Sequence, residues 1–342
     1  MLNRTQENTI AIIDSGIDTE NHILMKCVQG GVTIKNGEIL SGFYDENGHG
    51  TKCVSTIMKY CKDANYFIIK VLNKDMEGTG NDIIHALNYI KESKIKIINL
   101  SLSTSNRYYK RDFEEICGEL KENGKIVIAS KDNSLSNRSY PSSCKNVIGV
   151  LGGIYLPENE FWYNNSYKFQ AVSSSVPKLT LSLNNQYEMF SGNSKACAIF
   201  TGIIFNQLST YDFDSKEIDS ILRQAAVKRK WSYQSINNNI SYTIDYEEKV
   251  NVNQKILDKI KSVIKDVLEL DLERVKLLDQ YILFYHNIGL NYKNCINLLD
   301  KLEREFSIKI NYEDVSFFDC LSIYSLKNLV QRSSYEKPYK EG

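Results

Sequence analysis

Three short stretches carry side chains whose types could do nucleophilic chemistry. Ser191-Gly192-Asn193-Ser194-Lys195-Ala196-Cys197-Ala198 runs straight into Ile199-Phe200-Thr201-Gly202. The glycine lets the backbone turn sharply, and the small residues behind it read as the first turns of a buried helix, so the Ser194 hydroxyl is expected at a helix N-terminus. Taken alone, Gly-x-Ser before a helix is an ordinary N-cap. Two earlier stretches add to it. Ile10-Ala11-Ile12-Ile13-Asp14-Ser15-Gly16-Ile17-Asp18 is an apolar run of strand length that ends in a carboxylate and a glycine turn. Asp14 is therefore fixed and partly desolvated. Asn47-Gly48-His49-Gly50-Thr51-Lys52-Cys53-Val54-Ser55-Thr56-Ile57 puts a histidine between two glycines at the start of an apolar helix, where a general base could be reached.

In chain order these give Asp14, His49 and Ser194, the order of the subtilisins and not of the chymotrypsins or α/β-hydrolases. With all three local contexts present, residues 8 to 226 resemble the subtilisin-like serine proteases, or subtilases. The resemblance implies acyl transfer to Ser194, with His49 as general base and then acid and Asp14 holding the imidazole tautomer. It implies no organic cofactor and no catalytic metal, and no dense Asp/Asn loop of the EF-hand kind suggests calcium.

The elements that must position these groups alternate. Tyr66 to Leu72, Ile95 to Ser103 and Lys125 to Ala129 read as buried strands, and helical faces lie at Ile83, Ile84, Leu87, Ile90 and at Phe113, Ile116, Cys117, Leu120. Such alternation implies an α/β fold with a parallel sheet flanked by helices and a site at the carboxyl ends of its strands. Residues 19 to 47 read as a surface excursion. His85, His22 and His286 stand without partner patterns and read as structural.

Three finer assignments follow from the resemblance. Gly78-Thr79-Gly80 borders a substrate pocket in the family, although a helix-start turn explains it equally well. Ser101, Leu102 and Ser103 match the strand end that pairs with substrate backbone, the alternative being a plain interior strand end. After the 125–129 strand comes Ser130-Lys131-Asp132-Asn133-Ser134, where the family usually has Ala-Gly-Asn; the simplest register makes Asn133 the side-chain donor of the oxyanion hole, and a shift by one would place Asp132 there. Around the nucleophile, Asn193, Lys195 and Ala198 stand where the family commonly has Thr, Met and Pro.

Composition sets wider bounds. Of 342 residues, 42% are hydrophobic and 25% charged, with 42 basic and 42 acidic side chains, so nothing points to nucleic acid or an anionic membrane as partner. No signal-like or membrane-spanning run is visible, and only about nine residues precede the Asp14 strand, as in intracellular family members. Eight cysteines without Cys-x-x-Cys or zinc-type clustering read as reduced thiols of a cytoplasmic protein.

Past residue 227 the character changes. The division expected is a protease domain at 1–227, a linker or irregular extension at 228–250, a helical bundle at 251–335 and a disordered tail at 336–342. Apolar faces recur at Ile256, Ile260, Val263, Ile264, Val267 and Leu268, at Cys295 to Phe306, and at Leu321, Tyr324, Leu326 and Leu329. The run from Ile256 through Gly289-Leu290-Asn291-Tyr292 to Phe306-Ser307-Ile308-Lys309-Ile310 resembles an acyl or peptidyl carrier domain, but Asn291 and Tyr292 occupy the Asp-Ser positions, so no serine is present to carry phosphopantetheine. A generic bundle is the plainer reading. By fold-level analogy, the fusion resembles a protease that trims a ribosomally made precursor, with the precursor or a maturation enzyme docking on the bundle. The alternatives are a general or regulatory cytosolic subtilase with an exosite tail, and a pseudoprotease scaffold.

Overall fold

The computed structural model describes residues 8–133, 138–154, 156–209, 217–236 and 253–335. It divides into two compact units. The first comprises residues up to Val176, Leu181–Gln186 and Phe190–Asn238; the second takes Pro177–Thr180, Tyr187–Met189 and the chain from Asn239 on.

The first unit is built on a sheet of nine strands: β1 (Thr9–Asp14), β2 (Val28–Lys35), β3 (Glu38–Leu40), β4 (Asn65–Lys70), β5 (Ile97–Leu100), β6 (Ile126–Ser130), β7 (Ile148–Gly153), β8 (Phe161–Tyr163) and β9 (Ala171–Ser174). Their order is β3-β2-β4-β1-β5-β6-β7-β9-β8, and every pairing is parallel except those of β3 and β8 at the two edges. The apolar runs of β1, β4, β5 and β6 follow from this, since a central parallel strand is covered on both faces. All six residues of β1 are buried.

The chain leaves β1 toward β4 and β2 on one side and later toward β5 on the other, so the strand order reverses at β1. Asp14 ends that strand, at the kind of switch point where open α/β sheets place their ligands.

Residues 19 to 47 are more than a surface excursion. They supply a short helix α1 (His22–Met25), the edge strand β3 and the parallel strand β2. Only one of the eight residues of β2 is fully buried, and its register slips between Val28 and Gly30, which erased the apolar periodicity.

Helices α2 (His49–Met58), α3 (Gly80–Lys91), α4 (Lys110–Glu122), α5 (Gly192–Ser209), α6 (Ile218–Ala225) and α7 (Tyr233–Ile236) complete this unit. Phe113, Cys117 and Leu120 of α4 and Ala86, Leu87 and Ile90 of α3 pack with Ile98 and Leu100 of β5 in one core. Ala196 to Phe200 of α5 are fully buried, as their uniformly small or apolar side chains require. Residues 228 to 236 pack on the same unit: Lys228 lies over the Trp162 ring, Trp231 meets Tyr167 edge-on, and Ile236 is buried. Residues 237–250 and 336–342 lie outside the described residues.

A two-stranded hairpin, β10 (Lys178–Leu181) and β11 (Tyr187–Phe190), leads into α5 and is divided between the units. In the first unit its turn is held by the Asn184 N–H on Asp18 and by Asn21 on Asn185. In the second, Leu179 is fully buried among Leu257, Ile260, Leu298 and Leu326, and its N–H donates to the Val315 carbonyl.

The rest of the second unit is α8 (Gln254–Leu268), α9 (Leu272–Leu277), α10 (Cys295–Phe306) and α11 (Ile323–Tyr335). Each apolar stripe read from the sequence faces this core. Asn291 caps the approach to α10 by accepting the Lys293 and Asn294 N–H groups, and Tyr292 beside it is exposed. Among the described residues, no helix is long and apolar enough to cross a membrane.

Candidate active site

Asp14 is fully buried at the end of β1, and its Oδ1 accepts both the Ser15 N–H and Nδ1 of His49, each at 2.7 Å. Its main-chain carbonyl also takes the Val71 and Leu72 N–H groups, so the neighbouring strand anchors the backbone behind the carboxylate.

His49 opens α2, and the start of that helix is stitched down by a residue the sequence reading passed over. Asp45, fully buried, accepts four hydrogen bonds: from the N–H groups of Asn47, Gly48 and Thr51 and from the Thr51 hydroxyl, at 2.7–2.9 Å. Burial alone would raise its pKa, but these donors reverse the effect and hold the carboxyl below its ordinary value. Its signal in the sequence was an Asp six residues before Thr51 around the Gly-His-Gly turn, the chemistry of an N-cap. The Gly50 N–H donates to the Ser15 hydroxyl, joining the turn after β1 to the first turn of α2. A Cβ at Gly50 would lie 2.2 Å from the Gly16 carbonyl oxygen, so only glycine permits that approach.

With Nδ1 engaged by Asp14, Nε2 is the basic nitrogen of the ring. Burial disfavours the imidazolium, but the Asp14 carboxylate, aided by Cys53, outweighs it and holds the His49 pKa well above the usual range. Phe190, the last residue of β11, meets the ring edge-on at 5.6 Å. The Cys53 thiol lies one helical turn on, 3.7 Å from Asp14 Oδ2 and 3.8 Å from His49 Nδ1. The donors of Asp14, His49 and Cys53 thus lie within 4.8 Å of one another, a spacing that a soft cation could bridge. Burial pushes the Cys53 thiol up, which keeps it a hydrogen-bond donor to the carboxylate.

Ser194 stands in the first turn of α5, just after Gly192, whose φ of 83° makes the sharp entry. Its hydroxyl donates to the Ser101 carbonyl at 2.9 Å, and the Ser101 hydroxyl donates back to the Ser194 carbonyl at 3.2 Å. Delivering the Ser194 proton to His49 requires the hydroxyl to turn off the Ser101 carbonyl.

A family model described as the Subtilase family matches residues 5–242, the stretch that holds all of these groups. The chain belongs to the subtilase family. It is similar to an intracellular serine protease of Paenibacillus polymyxa, 27% identical over 247 residues that cover 64% of this chain and 73% of that one. The major intracellular serine protease of Bacillus subtilis (strain 168) is 26% identical over 214 residues, 57% of this chain and 66% of its own. Subtilisin DY of Bacillus licheniformis is 25% identical over 217 residues, 59% and 77% of the two chains. As a subtilase, the protein is a serine endopeptidase.

The remaining candidate residues of this subtilase fall in different surroundings. Asn133 follows β6, is exposed, and its Oδ1 accepts from Nδ2 of Asn193, the residue just before Ser194, at 3.1 Å. Asp132 has its N–H on the Ser139 hydroxyl and its carbonyl on Lys131. Ser101 and Leu102 are buried, Leu102 within the core beside α3 and α4, while Ser103 is half-buried. Thr79 caps α3 by accepting the Asp82 N–H, and Gly80 is buried beneath the Tyr109 ring, an arrangement that serves the helix start. Gly78 is exposed and lines a cleft of about 470 Å³ with Thr33, Leu72 and Glu77.

Lys195, noted in the sequence only as a departure, is 2% exposed and pairs with Glu158 and the Val176 carbonyl, each at 2.6 Å. Burial, and after it the Glu158 carboxylate, raises the phenol pKa of Tyr60, which follows α2. A buried lysine next to Ser194 in the chain is sustained by the pairing with Glu158. All eight cysteines are free thiols, seven of them buried, and burial pushes Cys61 and Cys144 up to about 12.

Proposed function

We propose that the subtilase acts through Ser194, His49 and Asp14 as an intracellular endopeptidase that trims a ribosomally made precursor peptide. The observation that carries the catalytic assignment is the 2.7 Å contact of His49 Nδ1 with buried Asp14, taken together with a serine in the first turn of α5. Nε2 of His49 removes the Ser194 proton as Oγ attacks the peptide carbonyl, and returns it to the leaving amine; water then repeats the sequence on the acyl-enzyme. Asn133 and the Ser194 N–H receive the oxyanion. Labelling by a fluorophosphonate tests this assignment: an adduct is expected on the wild type and not on Ser194→Ala, and labelling of both variants alike would refute it.

The intracellular setting is supported by the relatives from Paenibacillus polymyxa and Bacillus subtilis, both described as intracellular serine proteases. The precursor reading is supported by the carrier-like order of parts in the second unit, with Asn291 and Tyr292 heading α10 in place of a modifiable serine. Its test is cleavage of the peptide encoded beside the gene: one defined cut, dependent on Ser194, is expected. If casein is degraded while that peptide is left whole, the protein is a general intracellular protease, the reading that the relatives' descriptions favour. Incubation with a phosphopantetheinyl transferase is expected to add no mass, and an added arm would overturn the docking role of an unmodified bundle.

A further inference from the structure

Asn193 makes two hydrogen bonds whose directions are not interchangeable. Its Oδ1 accepts the Gly152 N–H of β7 at 2.8 Å, and its Nδ2 donates to Oδ1 of Asn133 at 3.1 Å. A backbone N–H can only donate, so Gly152 dictates that the oxygen of the Asn193 amide faces it and that the amine faces Asn133. Asn133 must answer with its own oxygen. Its Nδ2 is thereby turned away from Asn193.

That matters because a side-chain amide presents a donor at one end and an acceptor of the same size at the other. Asn133 is exposed at a strand end, where packing does little to choose between them. If it were reversed, two amines would face each other, and a lone pair would point where negative charge develops. The family resemblance puts Thr at position 193, and a hydroxyl, which both donates and accepts, imposes no such direction.

The geometry points to Asn193 as a positioning residue of the oxyanion site, which passes the fixed sense of the Gly152 N–H to Asn133 and keeps the Asn133 amine available to the oxyanion. The inference rests on Asn133 being the side-chain oxyanion donor. An added Cβ at Gly152 would clash first with the Ser175 Cβ at 2.6 Å and would also crowd Asn193 Oδ1 at 3.2 Å.

The test is a double-mutant cycle on the full chain, with p-nitrophenyl acetate and fluorescent casein as probes. N193A is expected to lower kcat by about 10- to 100-fold with KM nearly unchanged, less than the roughly 10²- to 10³-fold loss from N133A. In the N133A background, N193A should do almost nothing more, because the group it orients is gone. N193D, nearly isosteric, is expected to lose at least as much kcat as N193A, since its oxygen draws the Asn133 amine onto itself. Wild-type kcat in N193A or N193D, or losses that multiply in the double variant, would overturn the relay while leaving Asn133 in its role. Wild-type kcat in N133A would overturn the oxyanion assignment, and the relay with it.

Discussion

Around His49, each polar group is tied into buried main chain: Asp14 to Ser15, Asp45 to the first turn of α2, and Gly50 to Ser15. Around Asn133, an exposed amide is steered by a second side-chain amide, and among the described residues one backbone N–H, that of Gly152, stands behind the pair. The base half therefore shares its supports with the fold, and damage there should unfold the protein as well as silence it. The oxyanion half is supported locally, so damage there should slow the chemistry and leave stability alone.

Removing a reacting group from either side of this divide has the largest effect. Ser194→Ala or His49→Ala is expected to lower kcat by roughly 10⁶-fold, the scale found when one member of the unit is removed from a subtilisin. Asp14→Asn should follow at about 10⁴-fold in kcat, because the imidazole loses its tautomer and its counter-charge. Steady-state kinetics on purified variants checks both, and a ranking in which Asp14→Asn is the milder change is required.

The sharpest contrast lies between Asp45 and Asn133. Asp45→Ala leaves three N–H groups, two of them buried, without this acceptor and should lower stability by about 3–5 kcal/mol, read as the midpoint of urea unfolding. Asn133→Ala should lose about 3 kcal/mol of transition-state stabilisation with an unchanged unfolding midpoint. If Asn133→Ala unfolds as readily as Asp45→Ala, the distinction between the two halves is wrong.

The smallest effect is on pH dependence. With His49 as the proposed general base, the neutral ring is the active form and kcat/KM should rise with pH through a midpoint above the ordinary 6.5. Asp14→Asn should move that midpoint down. Stability runs the other way: a His whose folded pKa is raised contributes fully below about 6.5 and loses that contribution as pH climbs through the raised value. The stability advantage of wild type over His49→Ala should therefore shrink across that window, as thermal melts at a series of pH values would record.

The same contrast explains how much of the site could be read in advance. Asp14, His49 and Ser194 stood out because each sits where a long apolar element meets glycine, and burial writes itself into sequence as periodicity. Asp45 went unread because a cap is a single residue with no period. Asn193 was visible only as a departure from a family pattern, since its role depends on Gly152, 41 positions away. Cys53 was read as one of eight reduced thiols; it is buried and also leans on the Asp14 carboxylate. In the sheet, β2 was lost to Gly30 and Gly31, and β7, β8 and β9 are short or rich in serine and glycine, too little for an alternation to register. The divided hairpin could not be inferred at all, because Leu179 looks the same whichever core receives it.

That hairpin bears on how the enzyme is born. Leu179 lies little more than a dozen residues before Ser194, yet the side chains that enclose it run from Leu257 to Val330. A ribosome extrudes the chain at about 5–20 residues per second, amino end first, so Leu179 waits for the final helices before it can be buried. A chain ending at residue 250 is thus expected to leave Leu179 without its apolar surroundings, read as stronger binding of a hydrophobic dye than the full-length chain shows.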